Sequence, residues 1–343
     1  MVRTLIVDAE FAEPVRDGGA RALADLRRAL FELGHEVAIV HPDSLPSGRW
    51  DAVFASRPMT AARLRNEARR RCDGPMIFLG HDLHHRRLAM LAQQGEGPPG
   101  AAAAMLSVER VCWRGYDVSA YPNADEVAVV SDAGARGVWF PYFRIEPVGR
   151  GREAHETRGR RRSADVPTTL VFVGGARHRP NVTGLRWFGQ EVLPELRRDA
   201  GPVVAAVAGE WPESVREEFE ALGLTFLGAL PEQELSASVA GADAVIVPLC
   251  AGAGMKSKTI AGLGSGVPVI ATSVGLQGIP QAQAVAFRAD TVDEWVGALR
   301  TVRTSPETVA RTTEAACRFV AATYGSRAYL SAVAGLVAGD WAG

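Results

Sequence analysis

Between Val245 and Pro280 the chain reads VIVPLCAGAGMKSKTIAGLGSGVPVIATSVGLQGIP, and few architectures accommodate that stretch. An apolar run ending at Val247-Pro248-Leu249 is followed by glycines and two lysines. A short helical segment then closes on Gly264-Ser265-Gly266, and a new apolar run begins at Val267. Strand, glycine-rich loop, helix, strand is the building block of a parallel sheet. The start of a helix leaves backbone N–H groups uncovered and carries the positive end of the helix dipole, and Lys256 and Lys258 add full charges beside it. Such a loop suits an anion, a diphosphate above all.

The same alternation runs through the rest of the chain. Thr4 to Asp8 is a short apolar strand, Ala20 to Leu33 has the period of an amphipathic helix, and His35 to Val40 is a second strand. Ala52 to Ala55, Pro75 to Leu79 and Glu126 to Ser131 are expected as further strands, Thr60 to Arg71 and Glu109 to Tyr116 as helices, and Gln93 to Ala104 as a surface loop. In the second half, Thr169 to Val173 is a strand leading to the turn Gly174-Gly175-Ala176-Arg177-His178-Arg179-Pro180, with Asn181 as N-cap of the helix that follows. Pro202 to Ala208 and Ala244 to Leu249 are strands, and helices fill the C-terminal part. Alternation of this kind predicts doubly wound parallel sheets whose ligands collect at the carboxyl ends of the strands. Asp17-Gly18-Gly19 and the segment Gly80 to Arg87 stand at such ends in the first half.

A chain of 343 residues is long enough for two such domains. Arg144 to Ala164 is dense in arginine without periodicity and reads as a linker, which sets domains at 1–143 and 168–324 with a basic linker at 144–167. The linker's other use would be peripheral contact with lipid phosphate. A formal net charge of -1 gives no global attraction to nucleic acid, so none is expected as a partner. No apolar run approaches the ~20 residues of a membrane span, and MVRTLIVDAEF reads as a first strand, not a leader. Cys72, Cys112, Cys250 and Cys317 lie far apart, as expected of reduced thiols in a cytoplasmic protein.

Glycine-rich turns in α/β chains raise dinucleotide binding first. Gly252-Ala253-Gly254 lacks the third glycine of that fingerprint, and Gly262-Leu263-Gly264-Ser265-Gly266 has the wrong spacing and reads as a helix end. No cysteine-rich zinc pattern occurs, and His81 and His85 lack further ligands, so no metal site is expected.

At the level of motifs the chain resembles the GT-B fold glycosyltransferases of family 4. The resemblance rests on Phe172-Val173-Gly174 with His178, Pro180-Asn181, Trp187-Phe188 and Val192-Leu193-Pro194, and on Pro248-Leu249 with Gly252-Ala253-Gly254, Lys256, Lys258 and Pro268-Val269. In the first half it rests on Asp17-Gly18-Gly19 with Arg21, on Asp82-Leu83-His84 with Arg87, and on Glu109, Asp125 and Ser131. It implies an α/β fold of two Rossmann-like doubly wound domains facing across a cleft, with the final helix, 325–343, packing back on the first. It also implies a retaining, metal-independent transfer from a nucleotide-diphosphate sugar, UDP- or GDP-linked, to a hydroxyl of a glycan, a lipid-linked acceptor or a small molecule, with no resident cofactor.

Glycosyl transfer builds negative charge on the departing diphosphate, and stabilising it is the main task. The resemblance implies that Lys256 and Lys258 carry that charge, with Gly174, Gly175, Arg177, Gly252, Ala253, Gly254 and Met255 around the phosphates and Gly18 and Gly19 approaching them from the first domain. His84 is the candidate beside the reacting centre, with Asp82 and Arg87 on the acceptor or sugar side. One position departs from the pattern. Where family members carry a glutamate for the ribose hydroxyls, three residues after the second lysine, this chain has Ala261. A methyl accepts no hydrogen bond, so a degenerate GT-B protein that partners another transferase is the alternative reading, and a changed reaction on the same fold is a third.

Overall fold

In the computed structural model of the protein, residues 2–11, 18–93, 97–148, 166–252, 254–279 and 281–341 are described. Asp17, Ala253 and most of the basic linker lie outside them. The chain forms two compact units: one of residues 1–144, 253–255 and 323–343, the other of residues 145–252 and 256–322.

The first unit is a parallel sheet of six strands in the order β2-β1-β3-β4-β5-β6. The strands are β1 (Arg3–Val7), β2 (Glu36–Val40), β3 (Ala52–Ser56), β4 (Met76–Leu79), β5 (Val118–Tyr121) and β6 (Gly137–Trp139). Strand side chains alternate between faces, so each strand feeds two cores. Leu5, Val7, Val53, Ala55, Met76 and Phe78 fill one, under α2 (Pro58–Arg71), α4 (Ala101–Gly115) and α5 (Ala124–Asp132). Ile6, Phe54, Ile77 and Leu79 fill the other, with Leu23, Leu26 and Leu30 of α1 (Gly18–Glu32) and Tyr329, Val333 and Leu336 of the last helix, Ser326–Ala338. α3 (His84–Gln93) follows β4.

Two local expectations are corrected here. Glu126 to Ser131 is not a strand but the body of α5: the apolar run carries a helix because Asn123 caps it, accepting the Asp125 N–H at 2.9 Å, and Asp125 and Glu126 stand in its first turn. Nor is Gln93 to Ala104 wholly loop. Ala101 to Ala104 open α4 after Gly100, whose left-handed φ of 77° starts it, and alanine is the strongest helix former.

Close packing at the end of β4 leaves no room for a side chain at Gly80. A Cβ there would lie 2.1 Å from Cζ of Tyr121, a buried ring whose hydroxyl accepts from Trp113 Nε1 at 2.9 Å. Gly80→Ala is expected to cost about 2 to 3 kcal/mol through displacement of that ring. A urea midpoint unchanged from wild type would contradict it.

The second unit is also a parallel sheet of six strands, ordered β12-β11-β10-β7-β8-β9. These are β7 (Thr168–Val173), β8 (Val203–Ala208), β9 (Leu224–Gly228), β10 (Ala244–Val247), β11 (Val269–Ala271) and β12 (Phe287–Arg288). Between β7 and β8 the chain runs as α6 (Arg179–Trp187), a π-helical turn (Phe188–Val192) and α7 (Leu193–Ala200). Leu185, Phe188, Val192 and Leu196 from this run, with Trp295 and Leu299 of a later helix, Val292–Thr304, cover Leu170, Phe172, Val207 and Ile246. The opposite face takes α8 (Ser257–Gly264). Its Gly262 is an interior residue, not a cap: a Cβ there would meet Val245 and Val269 side chains at 3.1 and 3.2 Å, so glycine lets the helix close onto β10 and β11. Gly266, at φ 71°, ends the helix in the left-handed region.

Candidate functional site

Sheet order decides where a ligand can enter the second unit. From β7 the chain winds outward through β8 and β9, then returns to lay β10 on the other side of β7. Connections therefore leave β7 and β10 in opposite directions, and the crevice beyond their carboxyl ends is the place where doubly wound sheets bind ligands. β7 ends there in Gly174-Gly175, and β10 ends in Pro248-Leu249 and the glycine-lysine loop.

The Gly174-Gly175 turn is held from several directions. The Gly174 carbonyl accepts from Trp211 Nε1 at 2.7 Å, the Gly175 carbonyl accepts from Asn181 Nδ2 at 2.7 Å, and the Ala176 N–H donates to the Glu210 carbonyl at 3.0 Å. A Cβ on Gly174 would sit 2.7 Å from Lys258 Nζ and 2.8 Å from Asn181 Nδ2. Helix α6 closes in as tightly, since a Cβ on Gly184 would lie 2.3 Å from the Pro248 carbonyl oxygen. Both glycine positions bring backbone against backbone or against a functional side chain, and neither tolerates substitution without movement.

Both lysines come to this crevice. Lys256 is the N-cap residue of α8 and is only 3% exposed. Lys258, in the first turn of α8, donates from Nζ to Asn181 Oδ1 and stands 4.5 Å from the centroid of the Phe172 ring. Burial, with the Lys256 charge adding to it, pushes the Lys258 ammonium down to about 7. An ammonium poised near neutrality takes up full charge when an anion arrives.

Asn181 is not the cap expected of it. His178 holds the N-cap position of α6, while Asn181 lies inside the helix, 2% exposed, with both ends of its carboxamide engaged. Gly252 lies on the same loop at φ 132°. Arg177 does not join the cluster: its side chain is largely exposed, 3.8 Å from Glu210. Ala261, on α8, is exposed and offers a methyl where a carboxylate is expected. Ala253 lies outside the described residues.

In the first unit the turn after β4 carries the other candidates. His84 Nε2 stands 3.0 Å from Asp82 Oδ1, and Arg87 Nη1 stands 3.3 Å from Asp82 Oδ2. Burial alone would raise the Asp82 carboxyl, but His84 and Arg87 together hold it below its ordinary value. His81 shares a proton with Ser56 Oγ at 2.6 Å, and burial with the Arg57 charge lowers it to about 4. It stays neutral at physiological pH.

Beneath this turn are two acids. Glu109 is fully buried and accepts the His84 N–H at 2.8 Å and His85 Nδ1 at 2.5 Å, and Glu126 accepts the Leu83 N–H at 3.3 Å. They bind the uncovered start of α3 as carboxylates suit a helix N-terminus. Glu126 had no signal in the motif pattern. Asp125, which did, contributes its N–H to the α5 cap, and Ser131 donates to the Val127 carbonyl on the same helix. Gly18 and Gly19 open α1, and among the described residues a Cβ on Gly18 would meet the Phe143 ring, at 3.8 Å. Gly254, at φ 73°, would bring a Cβ to 3.2 Å from Asp82 Cβ, and the Met255 thioether accepts from the Tyr324 hydroxyl at 3.4 Å.

Two six-stranded parallel sheets wound with helices on both faces, with a glycine turn and a pair of lysines at the strand ends of the second, are the architecture of the GT-B fold. Residues 167–304 match the family model of the glycosyl transferases group 1. Among solved structures the chain is similar to sucrose-phosphate synthase from Thermosynechococcus elongatus, at 13% identity and a TM-score of 0.72 over 99% of each chain. HepE from Anabaena, solved with UDP and glucose, is similar at 13% identity and a TM-score of 0.69, over 99% of this chain and 100% of that one. WaaG, a glycosyltransferase involved in lipopolysaccharide biosynthesis, is similar at 14% identity and a TM-score of 0.64, over 98% and 100%. No curated protein has a significantly similar sequence. Among the described residues no helix is long and apolar enough to cross a membrane, and no His, Cys, Asp and Glu group is arranged to hold a metal ion.

Proposed function

We propose that the protein transfers a sugar from a nucleotide-diphosphate sugar, UDP-linked in the first instance and GDP-linked otherwise, to a hydroxyl acceptor with retention of anomeric configuration. The observation that carries this reading is the Lys258 ammonium, held beside the Gly174-Gly175 turn at the switch point of the second sheet with Lys256 buried next to it. In the transfer, the bond from the anomeric carbon to the β-phosphate oxygen breaks and the bond to the acceptor oxygen forms. The acceptor's proton passes to the departing diphosphate, whose growing charge meets the two lysines and the backbone N–H groups of the loop. The lysines supply that charge from the chain itself, which favours a reaction without a resident metal. The structures of HepE with UDP and glucose support UDP as the nucleotide to try first.

His84, buried and paired with Asp82, is the residue we assign to the acceptor hydroxyl or the transferred sugar, with Asp82 and Arg87 fixing its orientation. The acceptor is a glycan, a lipid-linked sugar or a small molecule.

The exposed methyl of Ala261 supports a second reading, a GT-B protein that has lost donor binding and partners another transferase. Titration calorimetry with UDP separates the two. Wild type is expected to bind UDP with a Kd below the millimolar range, and Ala261→Glu to bind about 10-fold tighter by one added charge-assisted hydrogen bond of about 1.5 kcal/mol. No heat from wild type at millimolar UDP, with binding gained by the variant, would favour the partner reading instead.

A further inference from the structure

We infer that Asn181 is a positioning residue for Lys258: its carboxamide bridges the Gly175 carbonyl and the Lys258 ammonium and so holds that ammonium at the mouth of the Gly174-Gly175 turn. Nothing local asks for an asparagine there. It occupies the third position of α6 behind a His178 N-cap, asparagine is a poor interior helix residue, and a carboxamide buried to 2% exposure costs free energy unless both ends are satisfied. Both are satisfied at long range, Nδ2 by Gly175 O at 2.7 Å and Oδ1 by Lys258 Nζ across 77 residues of sequence. The turn is shaped around the pair, since a side chain on Gly174 would strike both Nζ and Nδ2, and the Phe172 ring closes the ammonium from another side at 4.5 Å.

The choice of an amide has a chemical reason. A carboxylate at this place would orient the ammonium equally well but neutralise it, whereas an amide oxygen accepts one hydrogen bond and leaves the positive charge available to an anion. The other charged or titratable groups on the elements around Lys258 are Lys256 on its own loop, His178, Arg179 and Arg186 on α6, Arg186 being paired with Glu218, and the exposed Arg177 and Glu210 pair at the turn. That the anion is a donor diphosphate rests on the function proposed above; the coupling of Asn181 to Lys258 does not.

The test reads Lys258 through melting temperature between pH 6 and 9.5, compared with Lys258→Met, so that it needs no ligand. Because the folded lysine releases its proton near pH 7 and the unfolded one near its ordinary 10.5, the wild-type melting temperature should rise with pH relative to Lys258→Met over that range. Asn181→Asp is expected to erase the rise, because its carboxylate keeps the ammonium charged. Asn181→Leu should move the midpoint of the rise down by at least half a pH unit. Curves from both variants that run parallel to wild type, whatever their absolute melting temperatures, overturn the inference, since a merely structural asparagine lowers stability evenly across pH. A second arm titrates UDP at pH 6.5, where Asn181→Asp should bind at least 10-fold more weakly than wild type. A wild type that fails to bind UDP removes the donor reading, and the melting curves still decide the coupling.

Discussion

A Lys258→Met protein is expected to lose UDP-dependent transfer by about 10²–10³-fold and, as pH falls from 10 to 7, to gain melting temperature relative to wild type. The loss follows from removing a cation aimed at the charge that develops on the diphosphate. The gain follows from linkage. Between pH 7 and 10.5 the unfolded chain carries a proton on Lys258 that the folded chain has released, so stability rises with pH across that window and is lowest at pH 7 and below. Methionine keeps the apolar stem over Phe172 and removes the buried ammonium, but it leaves Asn181 Oδ1 without its donor, a cost of about 1–3 kcal/mol that sets the level of the variant's curve and not its slope. Relative to wild type the variant should therefore be most favoured at or below pH 7 and least favoured towards pH 10. The same poise makes UDP binding proton-linked: affinity falls as pH rises above 7, and calorimetry in buffers of different ionisation heat should show proton uptake. A variant that keeps activity, or one whose melting temperature runs parallel to wild type across pH, would remove Lys258 from the role assigned to it.

Glu109 is expected to give the largest loss of stability from a single polar substitution in the first unit. Its carboxylate is fully buried and carries both the His84 N–H and the His85 ring nitrogen. Glu109→Leu leaves those donors without an acceptor at the start of α3, at a cost of about 3 to 5 kcal/mol in urea unfolding. Glu109→Gln keeps an acceptor and should cost about half as much. If the leucine variant unfolds within 1 kcal/mol of wild type by the measure of net hydrogen-bond worth, Glu109 does not hold the turn. Since His84 starts on that turn, activity should fall in the leucine variant before the fold is lost, and the glutamine variant should recover most of it.

Much of the architecture was legible because its signals are local. Thr169 to Val173, Ala244 to Leu249 and the runs at Thr4 and Pro75 are short, apolar and flanked by turn residues, and each is a strand within a residue or two of its expected ends. Glu126 to Ser131 misled because Val127, Val129 and Val130 satisfy both a strand and a helix, and the Asn123 cap upstream was the deciding signal. The alanines at 101–104 misled in the same way, read with the glycines before them and not with the helix after them.

The candidate site divides along the same line. The glycine-lysine loop, the Gly174-Gly175 turn and the His84 segment stand out in sequence because glycines, charges and histidines at strand ends have local causes. Their company does not. Asn181 looks like a cap because a cap is the nearest local explanation for an asparagine before a helix, and its partner lies 77 residues away. Glu126 is one residue from the acid that the motif marks, yet it is the one that accepts the Leu83 N–H. By itself the sequence determined the alternation of strands and helices, the parallel sense of both sheets and the chemistry of the loop at 252–258. The tertiary structure alone decided the strand order that puts β7 beside β10, and with it the burial that brings Lys258 near neutrality. Strand order and burial depend on contacts between segments far apart in sequence, and no local pattern of residues encodes them.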